Sequence, residues 1–496
     1  MTSAGDAARS PLRGAAMAVA LTWTMRAMGL VSVFIMARLL TPEDFGIVGL
    51  AITAVAFVEL FSYLGLRQTL LRIEDPDRSY LDTAFTLQLG LMCVLGLILA
   101  ALAPVFAWFY EVPELTAVVL ALALRFVIAG AINIGVVDFD RYFQFGRDLG
   151  MRLFAKLASL AATVAAALIL QSYWALVIGL FVQSTCQTIA SYVLHPYRPR
   201  FSLARRGELI GVSIWMFLGT AAQIVHAQVD RVALGRVAGP ATVGNFTVSK
   251  DLAAIFTEEI ATALNRVSFV ETTKAGELKG QGALMGAMLG GYAMVTAPMG
   301  IGLAAVAPEF FLVFLGDQWG FAAQLALLLA PAGAIYAVYR LVASSLQAGG
   351  FARLSALLSW TGTGATAALV VATVTMLDGG AVSISAATLV GSLATLMLGL
   401  GVMGRMSGVG VVELSIHIVR PFLAALTMFL VLDALPPISD IALAALLAKA
   451  AIGAAIYILA LAALWLASGR PGGAERQVMD VVQRVRRDGM AGLRFS

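Results

Sequence analysis

Charge is what this sequence has least of. Only 12% of its 496 residues are Asp, Glu, Lys or Arg, about half the share of a soluble domain. Its hydrophobic fraction of 60% and mean hydropathy of +0.90 exclude an ordinary soluble globular chain. Cysteine is nearly absent. Cys93 and Cys186 both fall inside apolar runs, which excludes a disulfide framework and suggests no metal site. The three histidines, His195, His226 and His417, are scattered without ligand spacing. Net charge is only +4, and the basic residues lie between hydrophobic runs and on the tail, where cytoplasmic membrane loops require them. Nucleic acid is not implied. There is no cleavable signal peptide to be read either. The first apolar run is long, broken by Arg26 and followed at once by others, so a retained helix is expected.

What is present instead is hydrophobic length. A helix needs about 20 apolar residues to cross a bilayer. Fourteen segments meet that need: 14–38, 45–66, 81–109, 115–137, 149–170, 173–194, 209–235, 242–264, 283–307, 321–347, 354–377, 381–403, 414–435 and 441–467. The expected fold is an all-α polytopic membrane protein with 14 transmembrane helices. The seventh, eighth and tenth segments carry polar residues at helical spacing, so hydropathy alone should score them low.

Basic residues test the count, because Lys and Arg concentrate in cytoplasmic loops. With the N-terminus inside, that side receives Arg9 and Arg13; Arg67, Arg72 and Arg78; Arg141, Arg147 and Arg152; and Arg198, Arg200, Arg205 and Arg206. It also receives Arg266, Lys274 and Lys279, then Arg353, Arg405 and the arginines of the tail. The other side receives only Arg38 and Arg236, beside acids such as Glu111, Glu114, Glu309 and Asp317. A wrong count would invert this alternation partway along, so both termini are expected in the cytoplasm.

The loops are short, and none can hold a core of its own. The largest interior break is the basic stretch 195–208, which divides six segments from the next six. Many transporters are two halves with a site at their interface. The expected organisation is an N-terminal six-helix bundle (1–194), a basic cytoplasmic linker (195–208), a C-terminal six-helix bundle (209–403), helices 13 and 14 (404–467) and a basic cytoplasmic tail (468–496). No residue-level repeat between the halves is legible. In the tail, Val478, Met479, Val481, Val482 and Val485 recur at helical spacing beside Arg484, Arg486 and Arg487. That reads either as a basic amphipathic helix on the membrane face or as a solvated tail that only sets topology.

The ionisable residues inside the segments carry the functional signal. Lipid cannot satisfy them, so they should face a bundle interior or a wet cavity. Arg26 and Arg125 are central in segments 1 and 4 with no acidic residue within a turn, and Arg340 lies in the inner half of segment 10. The planar arginine fork donates two hydrogen bonds to adjacent oxygens. A cavity shared by Arg26, Arg125 and Arg340 would therefore suit a pyrophosphate. Glu59, in segment 2, reads either as a coupling acid or as the neutraliser of a nearby arginine.

Segment 7 carries Gln223, His226, Gln228, Asp230 and Arg231; segment 8 carries Lys250, Asp251, Glu258 and Glu259. Asp230 with Arg231 reads as an interfacial ion pair. The charges of segment 8 read as water-facing or locally paired groups. Glu59, His226, Glu258 and Glu259 are the candidates for proton or sodium coupling. Lys156 and Lys449 can snorkel to an interface.

The stretch Ala37-Arg38-Leu39-Leu40-Thr41-Pro42-Glu43-Asp44-Phe45-Gly46 resembles the signature ending the first helix of bacterial polysaccharide exporters and O-antigen or exopolysaccharide flippases. These belong to the multidrug/oligosaccharidyl-lipid/polysaccharide exporter superfamily. Stretches 63–68, 229–236 with 243–246, and 315–319 resemble further parts of the family in the same order, with Phe246 standing where a tyrosine is expected. The resemblance implies two six-helix bundles facing each other across a central cavity, with two C-terminal helices in some branches. It implies that a lipid-linked oligosaccharide, carried on undecaprenyl pyrophosphate, is moved from the inner to the outer leaflet of the bacterial inner membrane by alternating access. The partners are then the lipid-linked substrate, membrane lipid and a polysaccharide polymerase or export machinery, with the monomer as working unit and no cofactor. Of the three arginines only Arg26 lies in the segment that the matching 37–46 stretch ends. No motif fixes Arg125 or Arg340 as a ligand, and the 37–46 turn itself, Arg38 included, is expected to be structural.

Other classes are weighed by what they need. A drug or cation antiporter of the superfamily needs an acidic cavity, against the central arginines. A peptidoglycan-precursor flippase shares the substrate chemistry, and the 37–46 motif favours the polysaccharide branch. An integral-membrane polymerase or glycosyltransferase needs a sizeable loop with catalytic groups. Here the loops are short and no paired-carboxylate, metal-ligand or Ser/His/Asp constellation stands out. Glu258 and Glu259 are adjacent, and neighbours on a helix diverge by about 100°. An enzyme is not expected. A non-transporting membrane scaffold remains as the last class.

Overall fold

The computed structural model describes residues 24–25, 27–62, 66–73, 76–142, 144–209, 214–275, 280–376, 379–436, 438–469 and 474–476. Among them helix is the only regular structure, the form in which a chain satisfies its own backbone where lipid offers no partner. Among the described residues ten helices are long and apolar enough to cross a membrane, eleven if the bent pair Glu114–Gly130 with Ile134–Arg141 is counted as one span. This is a multi-pass membrane protein.

In chain order the helices are α1 (Ala27–Leu39), α2 (Pro42–Glu59), α3 (Leu66–Arg72), α4 (Arg78–Tyr110), α5 (Glu114–Gly130), α6 (Val137–Arg141), α7 (Phe145–Leu170), α8 (Trp174–Leu194) and α9 (Arg206–Leu209). They continue with α10 (Ile214–Val237), α11 (Pro240–Ala275), α12 (Gly282–Ala305), α13 (Ala307–Phe314), α14 (Gly320–Ala348), α15 (Ala352–Met376), α16 (Ala381–Ser407), α17 (Val411–Ala434) and α18 (Ala442–Ala467). The helices α10 and α11 are long but not among the ten, because their Gln, His, Asp, Arg and Lys residues lower the hydropathy. The tenth segment was expected to fall short in the same way and does not. Its span reaches a mean hydropathy of 1.8, since Arg340 is the one charge in α14.

The chain divides into two compact units, Met1–Phe217 with Ala238–Gly244, and Leu218–Val237 with Asn245–Ser496. In the first, α7 packs on α8 and α4 on α5. The start of α2 shows how the 37–46 motif works. Thr41 is the N-cap, and its hydroxyl accepts from the Asp44 backbone N–H at 3.3 Å. The Asp44 carboxylate answers by accepting from the Thr41 N–H and hydroxyl at 2.9 and 2.7 Å. This reciprocal box satisfies donors that a helix start leaves open. The other carboxylate oxygen accepts from the backbone N–H of Tyr173 at 2.7 Å, tying α2 to the turn before α8. Asp44→Ala removes both functions, so a loss of about 1–2 kcal/mol is expected, read as a lower thermal unfolding midpoint; Asp44→Asn should lose less.

A 67° bend separates α5 from the short turn leading into α6. Buried Asn133 holds it. Its backbone N–H donates to the Ser191 hydroxyl at 3.0 Å, its side-chain nitrogen to Tyr197 O at 2.9 Å, and its side-chain oxygen accepts from Gly135 N at 2.9 Å. The basic stretch after α8 is likewise fastened. Asp82 of α4 accepts from the Tyr197 hydroxyl and from Arg200 N at 2.9 Å, and Thr86 accepts from Ser202 N at 3.0 Å. Burial, then the Asp82 carboxylate, pushes the Tyr197 phenol well above its ordinary range.

In the second unit α12 packs on α14 and α17, and α16 on α14 and α15. One buried cluster runs through Tyr292, Tyr339, Leu346, Leu400 and Leu414. Side-chain size sets the closest approach. A Cβ on Gly362 of α15 would collide with Thr395 of α16, and one on Gly391 of α16 with Thr366 of α15. Small residues are how membrane helices bring their backbones together.

Candidate functional site

In the first unit, Arg125 projects from the middle of α5 and is half-buried. Its Nε donates to the Ser184 hydroxyl of α8 at 2.8 Å. Among the described residues no carboxylate lies within ion-pairing distance of it; exposed Glu59, the last residue of α2, acts on it only at longer range. A hydroxyl fixes the guanidinium without neutralising it. The cation therefore keeps its charge and most of its donor fork for another acceptor.

The second unit holds a denser network on α10 and α11. Asp230 is fully buried. The Lys250 ammonium donates to both its oxygens, at 2.8 and 2.7 Å, and to the Ala227 carbonyl at 2.8 Å. All three N–H donors of the lysine are thus used. Asp230 also accepts from the Arg231 backbone N–H at 2.8 Å. The Thr388 hydroxyl of α16 lies 3.4 Å from Asp230 and 3.0 Å from the Ile384 carbonyl, so its one proton serves one acceptor at a time. Arg231, also buried, pairs with Asp251. The expected Asp230–Arg231 interfacial pair is therefore replaced by two cross-helix pairs. Neighbours on a helix point about 100° apart, so adjacent opposite charges turn to different partners.

His226 is buried one turn before Asp230 and stacks on Tyr336 of α14, with ring centroids 4.0 Å apart and planes at 7°. Arg340 is half-buried four residues beyond Tyr336, on the same face of α14. In one unit, then, His226 stacks on Tyr336, one turn before Arg340 on α14, and in the other Arg125 and Glu59 interact only at longer range. Arg26 lies outside the described residues. Glu258 and Glu259 fall within α11, with side chains outside those described, and the tail from 477 onward lies outside the described residues. Lys449, expected to snorkel, instead donates to Glu309 of α13 at 2.5 Å. Among the described residues no group of three His, Cys, Asp or Glu side chains has metal-site geometry.

Sequence reasoning missed a further buried pair, Arg420 of α17 with Glu475 of the tail, at 3.0 Å. The signal was available for Arg420, an arginine inside an apolar segment like Arg26. Nothing local marked Glu475.

A family model described as polysaccharide biosynthesis protein matches residues 35–324. The chain belongs to this family. Relatives agree with that placement. The succinoglycan biosynthesis transport protein ExoT of Rhizobium meliloti (strain 1021) is 26% identical over 299 residues, 59% of this chain and 60% of that protein. The lipopolysaccharide biosynthesis protein WzxC of Escherichia coli (strain K12) is 21% identical over 330 residues, 65% of this chain and 66% of that protein. The match thus spans less than two thirds of either relative. Two solved structures share the fold. The lipid II flippase MurJ, in an inward closed conformation, aligns with TM-score 0.66 at 12% identity, covering 91% of this chain and 99% of that one. An inward-facing multidrug resistance MATE family transporter of the MOP superfamily aligns with TM-score 0.57 at 14% identity, covering 77% and 95%. The two relatives are named for succinoglycan biosynthesis transport and for lipopolysaccharide biosynthesis, and the fold is one that a flippase and a multidrug transporter share.

Proposed function

We propose that this protein is a flippase that moves an undecaprenyl-pyrophosphate-linked oligosaccharide from the inner to the outer leaflet of the bacterial inner membrane for surface polysaccharide export. The observation that carries the reading is Arg125, a cation in the middle of an apolar helix whose fixed partner is the neutral Ser184 hydroxyl. Membership of the polysaccharide biosynthesis family supplies the sugar side. In this reading 14 helices cross the membrane with both termini in the cytoplasm. Residues 1–194 and 209–403 form two six-helix bundles around a central cavity, 195–208 joins them, and 404–467 adds two helices. Arg26, Arg125 and Arg340 hold the pyrophosphate while the polyprenyl tail stays in lipid, and alternating access releases the head group outside. Glu59, His226, Glu258 and Glu259 are the groups through which a proton or sodium ion would drive the cycle. The protein works as a monomer, is not an enzyme and hands its substrate to a polysaccharide polymerase or export machinery.

Reconstitution tests this directly. Proteoliposomes carrying a fluorescent lipid-linked oligosaccharide should show protein-dependent exchange of the label between leaflets, with the substrate recovered chemically intact. Release of free sugar or phosphate in step with the protein would instead mark an enzyme, and no exchange at all would sink the flippase.

A further inference from the structure

Arg420 is a buried cation that the proposed transport cycle does not use. It lies about 14 Å along α17 from Val411, at 1.5 Å per residue, and is 5% exposed. Its Nη1 donates to Glu475 Oε1 at 3.0 Å. Glu475 belongs to the helical segment 474–476 of the C-terminal tail and is 7% exposed. The pairing is incomplete on both sides. Arg420 Nε and Nη2, Glu475 Oε2 and, one turn before Arg420, His417 Nδ1 are buried with no hydrogen-bond partner among the described residues.

The facing side of α12 is shaped for what sits there. A Cβ on Gly286 would come within 2.7 Å of the His417 ring, and one on Gly290 would lie 3.5 Å from His417 and 3.8 Å from the Ala474 Cβ. Glycines thus make the space that the imidazole and the tail segment occupy. Four nitrogens lie within one turn of α17, Arg420 Nε, Nη1 and Nη2 and His417 Nδ1, and the one carboxylate oxygen satisfies only Nη1.

Burying an ion pair is repaid only when its remaining donors and acceptors are also met. A guanidinium presents five N–H groups, and a carboxylate held at one oxygen leaves most of them open. A tetrahedral oxyanion has more acceptors to offer the Nε, the Nη2 and the His417 nitrogen at once. Arginine forks match phosphate geometry for this reason. We propose that Arg420 and His417, between α12 and α17, form a phosphate-binding site that Glu475 of the tail fills, and from which a phosphate group displaces it. The tail carboxylate and the phosphate then compete for one guanidinium. The phosphate can belong to a lipid head group or be a free ion, and the two sources separate by experiment. This site is independent of which molecule the protein transports.

The test uses the full-length protein in phosphatidylcholine nanodiscs. Ala474→Cys, in a Cys93→Ala/Cys186→Ala background, reports the tail by its rate of labelling with a water-soluble maleimide. Labelling should be slow in phosphatidylcholine alone. It should rise roughly tenfold, the scale of one charge-assisted hydrogen bond, when phosphatidic acid is added to the bilayer or inorganic phosphate to the buffer. A response to the lipid alone assigns the site to a head group, and a response to the ion alone assigns it to free phosphate. Arg420→Gln/Glu475→Gln, which removes both charges together and so leaves no lone buried ion, should abolish either response. A second readout is native mass spectrometry, in which Glu475→Gln should retain more phosphatidic acid than the double variant. Labelling that ignores both phosphate sources, or a response that survives in the double variant, would overturn the site.

Discussion

Lys250→Met is expected to cost about 3–5 kcal/mol of stability, the scale for removing one partner of a buried ion pair. The reason is specific to Asp230. Its carboxylate is fully buried, and the Lys250 ammonium is bonded to both oxygens. What would remain, the Arg231 backbone N–H and a shared Thr388 hydroxyl, cannot balance a full negative charge. Asp230→Asn/Lys250→Met removes both charges and should recover most of the loss, because the cost lies in the lone ion rather than in the missing attraction. The thermal unfolding midpoint in detergent, read by intrinsic tryptophan fluorescence for the two single variants and the double, gives the coupling directly. If the double variant falls as far as the sum of the singles, the pair is not the coupled unit its geometry describes. The same experiment bears on function. A pair whose donors are all filled holds α10 to α11, and it leaves the ion-coupling candidates to the other groups.

Helix was legible because its cause is local. Apolar length and the absence of lipid-side hydrogen-bond partners suffice to place α4, α7 and α8, whereas the 37–46 stretch reads only as a structural turn and its Thr41–Asp44 capping box goes unread. Pairing was not legible, because it is set by direction. Asp230 and Arg231 are neighbours in sequence and diverge on the helix, so each finds its partner twenty residues away, in Lys250 and Asp251. Ser184 carries no charge and gave no sign that it fixes Arg125. Glu475 was least accessible of all. Hydropathy assigns the residues directly after α18 to water, and the helical spacing read at 478–485 lies beyond Glu475 and does not show its carboxylate buried against Arg420.

Arg125→Ala should reduce polysaccharide export at least tenfold while the protein still accumulates in the membrane. A hydrogen bond to a charged group is worth about 1.5–3 kcal/mol, and each 1.4 kcal/mol is a factor of ten. Arg125→Lys keeps the charge and loses the fork, so export should fall between the wild type and the alanine variant. Glu59→Gln removes the carboxylate that acts on Arg125 from the end of α2. It should therefore tighten binding of an anionic head group, read as a lower Kd in detergent with no ion gradient, a measurement separate from any coupling role of Glu59 in the driven cycle. Ser184→Ala separates the two roles the arginine can have. The hydroxyl only positions Nε, so its loss should cost far less than loss of the cation. If Ser184→Ala and Arg125→Ala instead lower export equally and destabilise the protein to the same degree, Arg125 is a fastener between α5 and α8. The anion-binding role would then have to rest on Arg26 and Arg340 alone.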